Sequence, residues 1–238
     1  MQYALLLLPV VIPVIFWGAY HYHKDRHLPE PVGNLVLCLA LGVAAAALSK
    51  GLYLALDPFG WRLDAVALAQ TDGAALLRYA VFTIGPVEEL AKLLPFLLIV
   101  LRLKALDEPL DGIIYASFIG LGYAAVENVH YLDFLSLAES IGRGFASPAV
   151  HIVFASIWAH LITDAWLAKR RVLGPALAGF AVAASLHGIY DFLVLRHPVA
   201  ALPIAAAMIG AIWLWRLRLM HRMHEDATRG TDGPQPRS

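Results

Sequence analysis

Four short polar motifs interrupt otherwise apolar stretches of this chain of 238 residues. They are Glu88-Glu89-Leu90-Ala91-Lys92, Tyr123-Ala124-Ala125-Val126-Glu127-Asn128, His151, and His187-Gly188-Ile189-Tyr190-Asp191. Glutamate and histidine bind divalent metals and activate water. An ionisable side chain in hydrocarbon is costly, so its presence there points to function. The pattern is that of chemistry carried out inside a membrane.

Helical spacing gives each motif an internal companion. Glu88 and Lys92 are four apart and Glu89 and Lys92 three apart, so one acid can neutralise the lysine while the other stays free. His187 and Asp191 are also four apart. A carboxylate on one ring nitrogen fixes the tautomer and aims the other nitrogen. Asn128, next to Glu127, is placed to donate a hydrogen bond to an oxyanion.

The elements that must carry these residues are membrane helices. Hydrophobic residues make up 60% of the chain and charged residues 15%, against about 25% charged in an ordinary soluble domain. Seven apolar stretches are near the length needed to span a bilayer: residues 3–20, 32–56, 74–101, 112–132, 148–168, 172–195 and 199–220. No sustained alternation of polar and apolar residues occurs, so the fold class is all-α, a polytopic helical membrane protein. The expected organisation is one integral-membrane domain over residues 1–222, with a catalytic core at about 85–195. A polar, disordered tail follows at 223–238. The net charge of zero argues against a nucleic-acid partner, and the single Cys38 excludes an intrachain disulfide.

Basic residues cluster in alternate loops: Lys24 and Arg26, Arg102 and Lys104, Lys169 to Arg171, and Arg216 to Arg222. The bias predicts an N-terminus outside and a C-terminus in the cytoplasm. At 1.5 Å per residue, Glu127 then lies about 8 Å, His151 about 5 Å and His187 about 12 Å below the outer helix ends. Glu88 is near the midplane if its helix starts at Ala74. It falls in a first turn if a helix starts at Pro86, which suits that position. The reading favours a kink at Gly85-Pro86.

Taken in order, these motifs carry a family resemblance. Glu-Glu-x-x-Lys, Gly-x-x-Tyr-Ala-x-x-Glu-Asn from Gly120, Arg143 eight residues before His151, and His-x3-Asp from His187 together resemble the PrsW-type intramembrane proteases. These are similar to the CAAX-processing and bacteriocin-processing membrane proteases. The resemblance implies hydrolysis of a peptide bond in a membrane-anchored protein of the anti-sigma-factor kind, in a bacterial cytoplasmic membrane. It implies site roles for Glu88, Glu89, Glu127, His151, His187 and Asp191. The family's pattern has a small residue nine positions after the first histidine, where this chain has His160. His160 and Asp164 repeat the His-x3-Asp spacing, but His160 lies about half a turn around the helix from His151. His151 is the favoured site residue.

Two versions of the chemistry stay open. In one, Glu127, His151 and His187 bind a divalent metal such as zinc, with a position left for water, and Glu88 is the general base. In the other, metal-free version, Glu88 and a histidine activate the water, while His187 with Asn128 or Asp191 holds the oxyanion. A different class, a proton- or ion-coupled transporter, also uses buried acids and histidines. It commonly shows inverted repeats, which this sequence lacks. The blander alternatives are a buried Glu88–Lys92 ion pair and a His187–Asp191 polar clamp between helices.

Overall fold

The computed structural model describes residues 8–24 and 29–231. Among these, nine α-helices and no strand occur. They are α1 (Leu8–Lys24), α2 (Val32–Leu56), α3 (Ala65–Thr71), α4 (Gly73–Tyr79), α5 (Gly85–Leu98), α6 (Pro109–Tyr131), α7 (Leu137–Leu167), α8 (Leu173–Arg196) and α9 (Leu202–Thr231). Five of them, α2, α6, α7, α8 and α9, are long and apolar enough to cross a membrane. The remaining two apolar stretches are α1 and the divided unit α4–α5. Arg26 and His27 of the first basic loop, the start of the first stretch and residues 232–238 of the tail lie outside the described residues. Helix α9 itself continues to Thr231, beyond the boundary expected at residue 222.

Helix α6 is the axis of the molecule. Of its membrane window 83% is buried, against 28% for α8 and 11% for α9, so the other helices are arranged around it. Its buried side chains, including Ile113, Ile114 and Ile119, pack with Phe96, Phe154 and Trp158 in the main core. Its start is fixed by Pro109 at the first position, and the Asp111 carboxylate accepts from the Glu108 N–H at 2.6 Å. Proline needs no donor partner there, and the carboxylate satisfies an orphan amide.

Helix α7 begins at Leu137 rather than near Pro148. Ser136 and Glu139 form a capping box, with the Glu139 carboxylate accepting from the Ser136 N–H at 2.9 Å. That box starts a helix of 31 residues in which Pro148 is internal, at the cost of one backbone hydrogen bond. His151 is therefore fourteen residues into α7, about 21 Å along it, and not one turn from its end.

The stretch over residues 74–101 is helical but broken. Helix α4 passes through a π-helical turn at Ala80–Ile84 into α5, whose first turn holds Pro86 and Glu88. The break lies where Gly85-Pro86 predicts it, but the chain keeps its helical direction. A π turn is a common device for re-aiming side chains at a functional site. Here it coincides with a very close helix approach. A Cβ on Gly85 would stand 2.8 Å from the Gly188 nitrogen, and one on Gly188 would stand 2.6 Å from the Val81 Cα. Only paired glycines let α8 lie this near α5, which brings His187 against the acids of α5.

Candidate functional site

Four helices each bring one stripe of polar residues to a common point. On α5, Glu88, Glu89 and Lys92 occupy adjoining positions within one turn. On α6, Tyr123, Glu127 and Tyr131 recur every fourth residue. On α7, Arg143, Ser147, His151, Phe154 and Trp158 recur every three or four, which keeps them on one face. On α8, His187 and Asp191 are one turn apart. Gly120 lets α6 and α7 meet beside His151: a Cβ there would lie 3.1 Å from the His151 carbonyl oxygen.

The stripes are joined by a continuous chain of polar contacts. Arg143 pairs with Glu127 at 2.7 Å and covers the Tyr131 ring at 3.7 Å. The other Glu127 oxygen meets His151 Nε2 at 2.8 Å and the Ser147 hydroxyl at 3.3 Å. His151 Nδ1 meets Lys92 Nζ at 2.9 Å. Lys92 in turn reaches Glu89 Oε1 at 2.5 Å. Glu89 also accepts from the Trp158 indole N–H at 2.9 Å and meets His187 Nδ1 at 2.8 Å. Lys92, Glu89, His151 and His187 are all buried.

The donor inventory fixes the tautomer of His151. A lysine ammonium only donates, so His151 Nδ1 accepts and its Nε2–H donates to Glu127. Both ring nitrogens are therefore occupied. His187 differs. Its Nδ1–H donates to the Glu89 carboxylate, and its Nε2 faces Glu88 Oε2 at 3.6 Å and Asp191 Oδ2 at 3.7 Å. Phe154 stacks on the ring with centroids 5.0 Å apart and holds its plane.

Charge accounting singles out the uncommitted groups. Glu89 is matched by Lys92 and Glu127 by Arg143. Glu88, Asp191 and His187 Nε2 remain. Glu88 Oε2 is a buried oxygen with no hydrogen-bond partner, and unsatisfied buried polar atoms are scarce in folded proteins. Glu88 keeps 12% exposure and Asp191 22%, so water can reach this end of the network.

The donor set also fits a divalent cation. Donor atoms of Glu88, His151 and His187 lie within 4.8 Å of one another, a nitrogen and oxygen set of the kind zinc takes. The trio differs from the expected Glu127, His151 and His187: Glu127 is already paired with Arg143 and with His151 Nε2. Of the three, His187 Nε2 and Glu88 are open, while His151 must give up one present partner.

All six residues singled out from sequence, Glu88, Glu89, Glu127, His151, His187 and Asp191, thus lie in one network. His160 does not: it faces α9, with its ring 6.2 Å from that of Trp215, and Asp164 pairs with Arg170 instead. Asn128 is buried with its Oδ1 unpartnered, outside the chain of contacts. Trp158 and Ser147 escaped the sequence reading. Their spacing from His151, two turns after and one turn before, was the available signal.

The sequence is similar throughout this region to known proteins. The family model described as "PrsW family intramembrane metalloprotease" matches residues 30–217. The protein named Protease PrsW from Clostridioides difficile (strain 630) is 28% identical over 232 residues, covering 90% of this chain and 88% of that protein. Its namesake from Geobacillus kaustophilus (strain HTA426) is 27% identical, covering 87% of each chain. The one from Bacillus subtilis (strain 168) is 25% identical, covering 77% of this chain and 80% of its own. No solved structure matches.

Proposed function

The chain belongs to the PrsW family of intramembrane metalloproteases, and on that premise we propose that Glu88, His187 and Asp191 form the hydrolytic centre, which cuts a membrane-anchored protein near the outer face of the membrane. The observation that carries this reading is the unpartnered Glu88 oxygen facing His187 Nε2, in a network where Glu89 and Glu127 are matched by Lys92 and Arg143.

Amide hydrolysis adds water across the C–N bond. It needs a base for the water, stabilisation of the carbonyl oxygen as it gains charge, and a proton for the leaving nitrogen. Glu88 is placed to take the proton from water and return it to the nitrogen. His187 is held by Glu89 through Nδ1, so its Nε2 stays directed at the reacting atoms. Asp191 Oδ2 lies 3.7 Å from the same nitrogen, near enough for one water to bridge the two. Lys92 and Trp158 hold Glu89, and Arg143 and Ser147 hold Glu127, which orients His151. Glu89 and Glu127 act through the histidines.

The family description supports a divalent ion, for which Glu88, His151 and His187 are the fitting donors. When bound, such an ion polarises the scissile carbonyl and makes water more acidic. The proposed substrate is a single-span protein of the anti-sigma-factor type in a bacterial cytoplasmic membrane. The loop charges support an N-terminus outside and a C-terminus in the cytoplasm. Extended peptide would approach from the side where Glu88, Asp191 and Glu127 retain exposure.

The test is co-reconstitution with a tagged single-span substrate, following its cleavage on a gel. Glu88→Gln and His187→Ala should each stop cleavage in folded protein, whereas His160→Ala should cut normally. Normal cleavage by folded Glu88→Gln would remove the proposed centre.

A further inference from the structure

Helix α2 contributes no residue to the chain of polar contacts, yet it runs beside it. Three contacts set its register against α6. Asn34 donates to the Tyr115 hydroxyl at 3.0 Å, a Cβ on Gly42 would stand 2.9 Å from the Gly122 Cα, and the Tyr123 hydroxyl donates to Ser49 at 3.0 Å. Residue numbers rise together along the two helices, so they run parallel. The Ser49–Tyr123 contact is also where α2 meets the site, because the Tyr123 ring lies 5.0 Å from that of His151 and 4.8 Å from Lys92 Nζ.

One turn beyond Ser49, on the same face of α2, is Tyr53, and one turn beyond Tyr123 is Glu127. The register therefore brings Tyr53 level with Glu127, at the end of the network where Glu88, Asp191 and Glu127 keep some exposure. The surrounding charges agree. Of the carboxylates, Tyr53 interacts most strongly with Glu88, then with Asp191 and Glu127. Those acids come from α5, α8 and α6, so a side chain that faces all three stands at the mouth of the site.

Most donors around that mouth are committed. Lys92 Nζ is shared by Glu89 and His151, the Trp158 N–H goes to Glu89, and Arg143 and Ser147 go to Glu127. The Tyr53 hydroxyl has no hydrogen-bond partner among the described residues, and it is not sealed from water. The side chain as a whole is half-buried. Two other uncommitted phenols, Tyr131 and Tyr190, are near, but the carboxylates they feel most strongly are Glu127 and Asp191 respectively. Of these three phenols, only Tyr53 has Glu88 first.

A carbonyl oxygen that gains charge among carboxylates needs a donor aimed at it. We infer, on the basis of the hydrolytic centre proposed above, that the Tyr53 hydroxyl is this donor and hydrogen-bonds to the scissile carbonyl oxygen as Glu88 takes the proton from the attacking water. The phenol gives up no proton. It holds the oxyanion until the carbonyl re-forms, the C–N bond breaks and the leaving nitrogen receives the proton carried by Glu88.

The experiment measures initial cleavage rates of the full chain in detergent, across concentrations of a tagged single-span substrate that wild type cuts, beside thermal unfolding of each variant. Tyr53→Phe removes a hydroxyl with no protein partner, so the unfolding midpoint should not fall. Its kcat should drop about a hundredfold, the lower range for losing one oxyanion donor, with KM unchanged because the bond forms only in the transition state. Tyr53→Gln, which presents an amide N–H, should recover part of the rate. A wild-type kcat in Tyr53→Phe, or a loss confined to KM, overturns the assignment. So does a lowered unfolding midpoint, which would mark the hydroxyl as structural, or a larger loss of kcat in Tyr131→Phe or Tyr190→Phe. Glu88→Gln is measured in parallel. If it is inactive while Tyr53→Phe cuts normally, the donor is wrong and the hydrolytic centre stands. Normal cleavage by folded Glu88→Gln overturns both.

Discussion

At the scale of single residues, two adjacent glutamates have opposite duties. Glu89 is fully buried, holds Lys92 at 2.5 Å, and accepts from Trp158 and His187. Replacing it with glutamine leaves a lysine charge unmatched in the interior, which costs about 3–5 kcal/mol. Glu88 holds nothing as firmly, so Glu88→Gln should leave thermal stability in detergent nearly unchanged. Cleavage should nonetheless fall at least about a hundredfold, the lower range for losing a general base. Thermal unfolding beside a cleavage assay separates the two, and equal destabilisation by both variants would contradict the division. Trp158→Phe removes the indole donor to Glu89 and shrinks a fully buried ring. It should cost at least about 1.5–3 kcal/mol, the range for a hydrogen bond to a charged group, with a cavity cost added, and reduce cleavage through loss of His187 alignment. Trp158→His, which can restore a donor, should recover part of that activity. The sequence made the acids and histidines legible because charge inside an apolar helix is conspicuous. It left open which glutamate takes Lys92, since spacings of three and four are both on one face. Trp158 was hidden because an indole in an apolar helix is an ordinary core residue until its N–H is seen to meet a carboxylate.

At the scale of elements, the site depends on how closely α8 approaches the π-helical turn at Ala80–Ile84. Gly188→Ala introduces a methyl against the backbone of Ala80 and Val81, where the tighter of two fixed chains cannot yield. Overpacking of this kind costs about 1–3 kcal/mol. It also pushes the adjacent His187 away from Glu88, so cleavage should fall further than stability does. Gly174→Ala, at a position on the same helix with open space around it, should change neither. A Gly188→Ala enzyme that cuts at the wild-type rate would show that the close approach serves packing alone. These elements also show where the sequence is silent. Apolar length located the helices, and Gly85-Pro86 located the break. The start of α7 at Leu137 was missed because Pro148 looks like a first-turn proline, while the true signal, Ser136 with Glu139 three residues on, lies in a stretch too polar to read as membrane helix. That error placed His151 near a helix end. Its facing on the helix, which depends on spacing alone, was unaffected.

At the scale of the whole molecule, the network ties α5, α6, α7 and α8 together through side chains rather than through loops. A divalent ion held by Glu88, His151 and His187 would join three of these helices directly, so its binding should appear as global stability. A ligand that binds only the folded state contributes about 2.7 kcal/mol at a hundred times its Kd. Zinc added to chelator-treated protein should therefore raise the midpoint of thermal unfolding, and renewed chelation should reverse the rise. The effect should vanish in His187→Ala and in Glu88→Gln, because both remove a donor. It should persist in Glu127→Gln, because Glu127 lies outside the convergent trio. His151 adds a further sign. To take an ion it must release Lys92 or Glu127, so Lys92→Met, which frees Nδ1, should strengthen zinc binding even though it removes the Glu89 ion pair and lowers stability without metal. A zinc response lost in Glu127→Gln but kept in Glu88→Gln would return the ligand set to Glu127, His151 and His187. No response in wild type would leave Glu88 and His187 to activate water unaided.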